Sequence, residues 1–520
     1  MEVAISRPSA GVLDRERIVA GPGFNRWLVP PAALAIHLCI GMAYGFSVFW
    51  LPLSRALGVT QPIACSDLTL GRALFTMTCD WRVADLGWMY TLFFVFLGSS
   101  AALWGGWLER AGPRKAGVVS AVCWCGGIVL AAIGVMVHQL WIMWLGGGVI
   151  GGIGLGLGYI SPVSTLVKWF PDRRGMATGM AIMGFGGGAM IGAPLANLLM
   201  TYFRTSTSVG VWETFLVLAA IYFVFMMSGA FAYRVPDSSR PSASPLRASA
   251  DTPAVTDSVH HTEAIKAKQF WLIWAVLCLN VSAGIGVIGM ASPMLQEIFG
   301  ASAAVAAGFT GLISLFNIGG RFVWASLSDH IGRKATYATF FLLGIVLYAS
   351  APSLARAGSQ AAFVLAVCVI VSMYGGGFAT IPAYLADTFG TQYVGAIHGR
   401  LLTAWSTAGI IGPVLVNYIR EAEIAAGVPR QQVYDFTMYV LAGLLVLGFI
   451  ANALVKPLPE SWFAKAAPRI PNPGSRIPDP GRTPPFGLRA ALAWTAVGVP
   501  LAWGTWVTLA QAVVLFNGGR

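Results

Sequence analysis

The sequence predicts an all-α, polytopic membrane protein, built as two six-helix halves followed by one extra spanning helix. Three observations carry this reading. Of 520 residues, 56% are hydrophobic and only 10% are charged, and the mean hydropathy is +0.70. A single soluble core stops growing near ~250–300 residues, so a soluble fold could not hide so much apolar surface. Long apolar runs recur along the whole chain. Each is long enough to cross a bilayer, and inside lipid such a run satisfies its backbone hydrogen bonds as a helix. Finally, glycine, proline and charge positions of the first half return in the second.

The elements follow in order. Residues 1–26 carry Arg7, Arg15, Arg17 and Arg26 and no apolar stretch, so they read as a cytoplasmic segment and not as a signal peptide. Spans near 27–53, 86–108, 116–137, 140–166, 175–202 and 211–232 make a first bundle, 27–233. Residues 234–268 are rich in Ser, Pro, Asp and His and read as a loosely ordered cytoplasmic linker. His260 and His261 within it are taken as solvated side chains; no metal or cofactor is expected. Spans near 270–296, 304–327, 335–354, 361–386, 399–419 and 433–455 make a second bundle, 269–455. A Pro-rich linker, 456–487, leads to an extra span near 489–515 within 488–520. The 62 glycines suit this class, because small residues let membrane helices approach closely.

Charge sets the orientation. Most of the 33 Lys and Arg residues fall on the N-terminal side of the membrane, which places the N-terminus in the cytoplasm. The net charge of +12 is therefore loop charge facing anionic headgroups, and nucleic acid is excluded as a partner. The expected setting is a bacterial inner membrane, with the chain acting as a monomer in the lipid bilayer.

The repeat has an offset of 220 residues: Glu109, Gly112 and Arg114 map onto Asp329, Gly332 and Lys334, Pro162 onto Pro382, and Gly192 onto Gly412. The first span follows a longer offset, with Gly45 and Pro52 falling on Gly286 and Pro293. The first half therefore holds an insertion around residues 55–82, on the outer side. Cys65 and Cys79 lie in it, where an oxidising compartment favours a disulfide over two free thiols. Such a closure stabilises by up to ~3 kcal/mol in the chain-entropy model. The other five cysteines sit inside spans and read as packing residues.

Glu109-Arg110-Ala111-Gly112-Pro113-Arg114 and Asp329-His330-Ile331-Gly332-Arg333-Lys334 join the second to the third span of each half. They resemble the cytoplasmic loop signature of the major facilitator superfamily, which implies that fold. Their acid, bases and glycine turn could latch one conformation and release it in another. The resemblance narrows over nearly the whole first twelve spans. Gly152–Tyr159, Lys168–Gly175, Gly184-Phe185-Gly186-Gly187-Gly188 and Asn317-Ile318-Gly319-Gly320-Arg321 are similar to the oxalate/formate antiporter family, a relative of the monocarboxylate transporters. The tail around Trp494–Gly504 resembles a one-helix companion subunit, here fused. The resemblance implies a secondary carrier of small carboxylates, with a counter-anion or a proton as its second cargo, and a substrate-binding role for Arg321.

Arg321 stands out without the family. It is the one Lys or Arg read deep in a span, where a guanidinium costs at least ~2.5–3.5 kcal/mol. No acid lies deep enough to pair with it, and Glu213, Glu297 and Asp387 sit near helix ends. A carboxylate cargo would meet its planar fork through two parallel hydrogen bonds. The bland alternative is an arginine that snorkels toward water or binds backbone carbonyls. The family carries a lysine on its eleventh helix as a second positive group; Trp405 takes that place here. That implies a monocarboxylate such as formate, lactate or pyruvate ahead of oxalate.

Further cavity candidates are Tyr44, Tyr90, Tyr159, Asn280, Ser282, Tyr374 and Tyr384; each is as readily explained by helix packing. His37 is a candidate proton site, since the free imidazole titrates near physiological pH. A drug or sugar porter of the same fold and a transporter-like anion receptor are the alternatives. The missing deep acids weigh against cationic drugs, and Arg321 weighs against a neutral sugar. No nucleophile, metal cluster or paired carboxylates converge at depth, so an enzyme is not expected.

Overall fold

The structure, a computed structural model, describes residues 11–516 apart from 22, 66–68, 171–173, 237–257, 391–392 and 463–486. Thirteen helices among these are long and apolar enough to span a membrane. In the first half they are α1 (Arg26–Leu53), α2 (Val83–Ala111), α3 (Pro113–Met136), α4 (Leu140–Leu166), α5 (Arg174–Phe203) and α6 (Val211–Ala232). In the second half they are α7 (Lys268–Phe299), α8 (Ala303–Ile331), α9 (Arg333–Arg356), α10 (Gln360–Phe389), α11 (Ile397–Ala425) and α12 (Arg430–Leu454). The extra helix is α13 (Leu488–Phe516).

The halves meet along α1 with α7, α2 with α11, and α5 with α8. Glycine makes the tight crossings. Gly41 on α1 and Gly188 on α5 touch backbone to backbone, and a Cβ on either would collide with the other. The middle of α1, Gly41–Phe49, winds as a tight three-residue-per-turn helix. Such a stretch inside a longer helix is a common mark of a functional bend.

The repeat is visible in matching parts. Gly112 and Gly332 end α2 and α8 with φ of 86° and 85°, a region open to glycine. The base two residues later then caps the last helix of its own half. Arg114 donates to the carbonyls of Phe231 (3.0 Å) and Tyr233 (3.5 Å); Lys334 donates to Ala453 (2.8 Å) and Val455 (2.7 Å). A cation at the C-terminal carbonyls also answers the helix dipole. Arg333, at the start of α9, pairs with Asp329 at the end of α8 and with Asp387 of α10 at 3.5 Å. The side chain of Glu109 lies outside the described set, and Arg110 is exposed.

Two segments differ from expectation. The linker read as loosely ordered includes residues 258–268, which are anchored: Val259 donates to Phe389 O (2.9 Å), and Arg400 donates to His261 O. His260 is exposed, as expected, and also packs against the Tyr393 ring at 4.8 Å. These contacts satisfy carbonyls at the ends of neighbouring segments, a demand that composition does not reveal. The second difference is α11, which runs past the expected 419 to Ala425 and buries Arg420.

The inserted loop is compact. Cys65 and Cys79 are disulfide-bonded. The Asp80 carboxylate accepts the backbone N–H groups of Leu57 (2.7 Å), Gly58 (3.0 Å) and Ile63 (2.9 Å). Trp81 stacks on His138 at 3.9 Å, and His138 Nε2 donates to Cys79 O (2.8 Å). Covalent and charge-assisted clamps thus act in parallel. Reduction alone, or Asp80→Ala alone, should raise protease cleavage of the loop modestly. Together they should raise it by more than the product of the two, because neither clamp then remains. Limited proteolysis in detergent measures this, and purely multiplicative effects would contradict it.

Candidate functional site

Arg321 projects from the middle of α8 and is 4% exposed. Its Nε donates to Asn317 Oδ1 (3.0 Å), one helical turn earlier. Among the described residues it has no carboxylate partner, and its buried Nη1 has no hydrogen-bond acceptor. Room for the side chain comes from Gly186 on α5, where a Cβ would lie 3.2 Å from both Arg321 Nε and Asn317 Oδ1. Ser314 of α8 donates to the carbonyl of the same glycine, so α5 and α8 are bolted together at the arginine.

Arg420 shows the contrast. It too is buried, at 2% exposure, but its Nε meets Glu297 Oε2 at 2.9 Å and its Nη1 meets Glu421 at 2.7 Å. Tyr434 and Arg430 complete the cluster on Glu297. A buried cation that serves structure carries its counter-charges with it. Arg321 does not.

Aromatic rings from six helices of both halves close around Arg321. Phe378 of α10 lies 5.8 Å from the guanidinium carbon. Trp405 of α11 packs on Phe378 (4.5 Å), Tyr159 (5.2 Å), Phe185 (5.7 Å) and Phe94 (5.7 Å). Tyr44 of α1 packs on Phe185 (4.9 Å), and its hydroxyl meets that of Tyr374 at 2.8 Å, joining the two halves. Trp405 Nε1, like Arg321 Nη1, is a buried donor without an acceptor. The rings exclude water and offer positive edges, while the guanidinium supplies charge. This suits a small anion with a short apolar body.

The sequence-derived candidates divide. Arg321, Trp405, Tyr44 and Tyr159 converge on one box. Asn280 is buried within the second half beside Gly377, with its amide nitrogen unpartnered. Tyr384 is spent elsewhere, donating to Asn452 Oδ1 (3.1 Å) and packing on Tyr337. His37 is fully buried; its Nε2 donates to Tyr159 O (3.1 Å), and its ring stacks on Tyr159 at 5.6 Å. It therefore backs one wall of the box. Sequence reasoning missed Phe94, Phe185, Phe378 and Asn317. Asn317 was findable, since it stands four residues before the arginine, on the same helix face. The phenylalanines carry no signal that separates lining from packing.

Two bundles of six membrane helices with a buried arginine ringed by aromatic side chains at their seam define a multi-pass membrane transporter. The chain belongs to the Major Facilitator Superfamily, whose family model matches residues 33–413. It is 25% identical to the oxalate:formate antiporter of Oxalobacter formigenes, over 75% of this chain and 83% of that protein. It is 24% identical to apicoplast pyruvate carrier 1 of Toxoplasma gondii, over 70% of this chain and 78% of that one. It is also 25% identical to human monocarboxylate transporter 11, over 85% and 86%. A crystal structure of a D-xylose-proton symporter shares the fold at a TM-score of 0.60, with 15% identity over 83% of this chain and 98% of that one.

Proposed function

We propose that this transporter carries short monocarboxylates such as formate, lactate or pyruvate by alternating access around Arg321. The observation that carries the reading is the unpartnered Nη1 of a buried arginine inside an aromatic box. A bound carboxylate would supply the missing acceptor, and Trp405 Nε1 would offer a second donor. One positive group matches one negative charge. A dicarboxylate would leave a charge uncompensated in a dry pocket, at a cost of several kcal/mol. Relatives named for pyruvate and for monocarboxylate transport point the same way, and a third is named for both formate and oxalate.

In this reading the N-terminus faces the cytoplasm of a bacterial inner membrane, and the Gly112 and Gly332 turns lie on that side. The Asp329–Arg333–Asp387 cluster serves as a latch that changes partners when the halves rock. The Tyr44–Tyr374 contact closes the pocket between halves and must part for cargo to leave.

The test is uptake of labelled formate, lactate, pyruvate and oxalate into liposomes containing the purified full chain, with and without internal counter-anion. Flux of the monocarboxylates above oxalate supports the reading; no flux of any of them rejects it. Imposing a pH gradient in place of the counter-anion separates proton symport from exchange. His37→Gln keeps a donor for Tyr159 O but cannot take a proton. If the carrier is a symporter through His37, this variant should lose at least about tenfold of its pH-driven uptake while exchange survives. That size matches the usual weight of a positioned proton-transfer group. Unchanged pH-driven uptake would remove His37 from the mechanism.

A further inference from the structure

The end of the molecule that bears the disulfide holds a cavity about 450 Å³ in volume, away from Arg321. Its walls come from both halves: the end of α1, the inserted loop, and the ends of α7 and α11. Four arginines line it, Arg55, Arg82, Arg420 and Arg430, against the carboxylates of Asp80, Glu297 and Glu421.

Sorting the pairs leaves Asp80 and Arg55 outside any ion pair among the described residues. Asp80 is taken by three backbone N–H groups. Glu297 is taken by Arg420, Arg430 and Tyr434, and Glu421 by Arg420. Arg82 is matched by Asp85, which is fully buried beside it. Arg55 has no carboxylate partner among the described residues, and its Nε is buried without a hydrogen-bond acceptor. Burial, with Arg204 close by, pulls its guanidinium below the usual arginine range. A half-buried cation with a like charge nearby is a site that an anion stabilises.

The position of Arg55 adds direction. Arg55 lies just past the C-terminal end of α1, and Tyr44 lies in the middle of the same helix. Leu51 and Arg55 line the outer cavity, and Tyr44 lines the Arg321 box. Between them α1 is bolted to α7: Trp50 Nε1 donates to Gly289 O (2.8 Å), and Ser292 N donates to Ser47 Oγ (3.4 Å). The closed contact separates a cation outside it from a cation inside it.

We propose that this cavity is an outer docking vestibule for the small carboxylate cargo, with Arg55 as its receptor group, loaded before the α1–α7 contact opens. The proposal rests on the anion-carrier reading, but its test does not depend on flux. Thr60 lines the vestibule and is exposed, and its hydroxyl makes only a 3.4 Å bond to Gly58 O, so Thr60→Cys is a mild change. The free cysteines are buried or half-buried within the spans, out of reach of charged thiol reagents.

In the full chain in liposomes, Thr60→Cys should react several-fold faster with an anionic methanethiosulfonate than with a cationic one, after correction for their intrinsic rates. Arg55→Gln should bring that preference to near unity. Millimolar formate, the probe anion, should slow the labelling, and the protection should vanish in Arg55→Gln. It should persist in Arg321→Gln, because the vestibule lies outside the box. Absence of anionic preference, or a preference that Arg55→Gln leaves intact, overturns the vestibule. Protection lost in Arg321→Gln but kept in Arg55→Gln also overturns it and assigns the effect to the box. Labelling as expected, in a chain that moves no carboxylate, refutes the transport reading and leaves the vestibule standing.

Discussion

Arg321→Gln should abolish carboxylate transport while leaving the helical bundle folded. Truncating one side of a desolvated, hydrogen-bonded charge pair costs about 2–5 kcal/mol of binding. At low substrate that is a loss of roughly thirtyfold to several thousandfold in flux. The structural cost runs the other way. The guanidinium has a buried N–H without an acceptor and no carboxylate partner among the described residues. Glutamine keeps an amide donor that can reach Asn317 Oδ1 and removes the uncompensated charge. Thermal stability in detergent should therefore hold or rise. The same change at Arg420 should behave oppositely, because it leaves the buried Glu297 with only Arg430 and Tyr434, and a broken buried pair costs about 3–5 kcal/mol. Uptake near the parent rate in Arg321→Gln would reject the site; unfolding of that variant, with Arg420→Gln intact, would mean that the two arginines have their roles reversed.

This contrast also marks what could be read from the chain alone. Hydropathy located all thirteen helices because the bilayer imposes a length and a dryness that any sequence must meet. It also singled out Arg321, whose charge violates that dryness. It could not place the end of α11, because Arg420 looks like a loop residue until Glu297 and Glu421 are seen around it. It could not separate Tyr44, which faces the box, from Tyr384, which faces Asn452. Both are tyrosines in glycine-rich helices, and which face a membrane helix turns inward is decided by neighbours that lie hundreds of residues away. The repeat helped where both halves share a structural duty, as in the Arg114 and Lys334 caps. It was silent at the box, where the halves contribute different rings. The glycines of 184–188 are legible only after the fact: Gly186 makes room for Arg321, and Gly188 lets α5 touch α1.

Trp405→Lys should shift selectivity from monocarboxylates toward dicarboxylates, by at least about tenfold in the oxalate-to-formate ratio, since even ~1.4 kcal/mol of differential binding suffices. A lysine here returns a second positive group to a pocket that holds one. A bound dianion would then have a partner at each end, while a monoanion would leave the ammonium unmatched. The substitution also removes an indole that packs on Phe378, Tyr159, Phe185 and Phe94, and emptying such a site costs about 3–5 kcal/mol. Absolute rates should therefore fall for every substrate, and only the ratio carries information. Trp405→Leu separates the two effects, because it loses the ring and the Nε1 donor without adding charge. That variant should slow formate and oxalate alike. A ratio that moves equally in the Leu and Lys variants would show that pocket shape, and not charge, sets the preference. A ratio that moves only with lysine would establish that this carrier counts negative charges against Arg321.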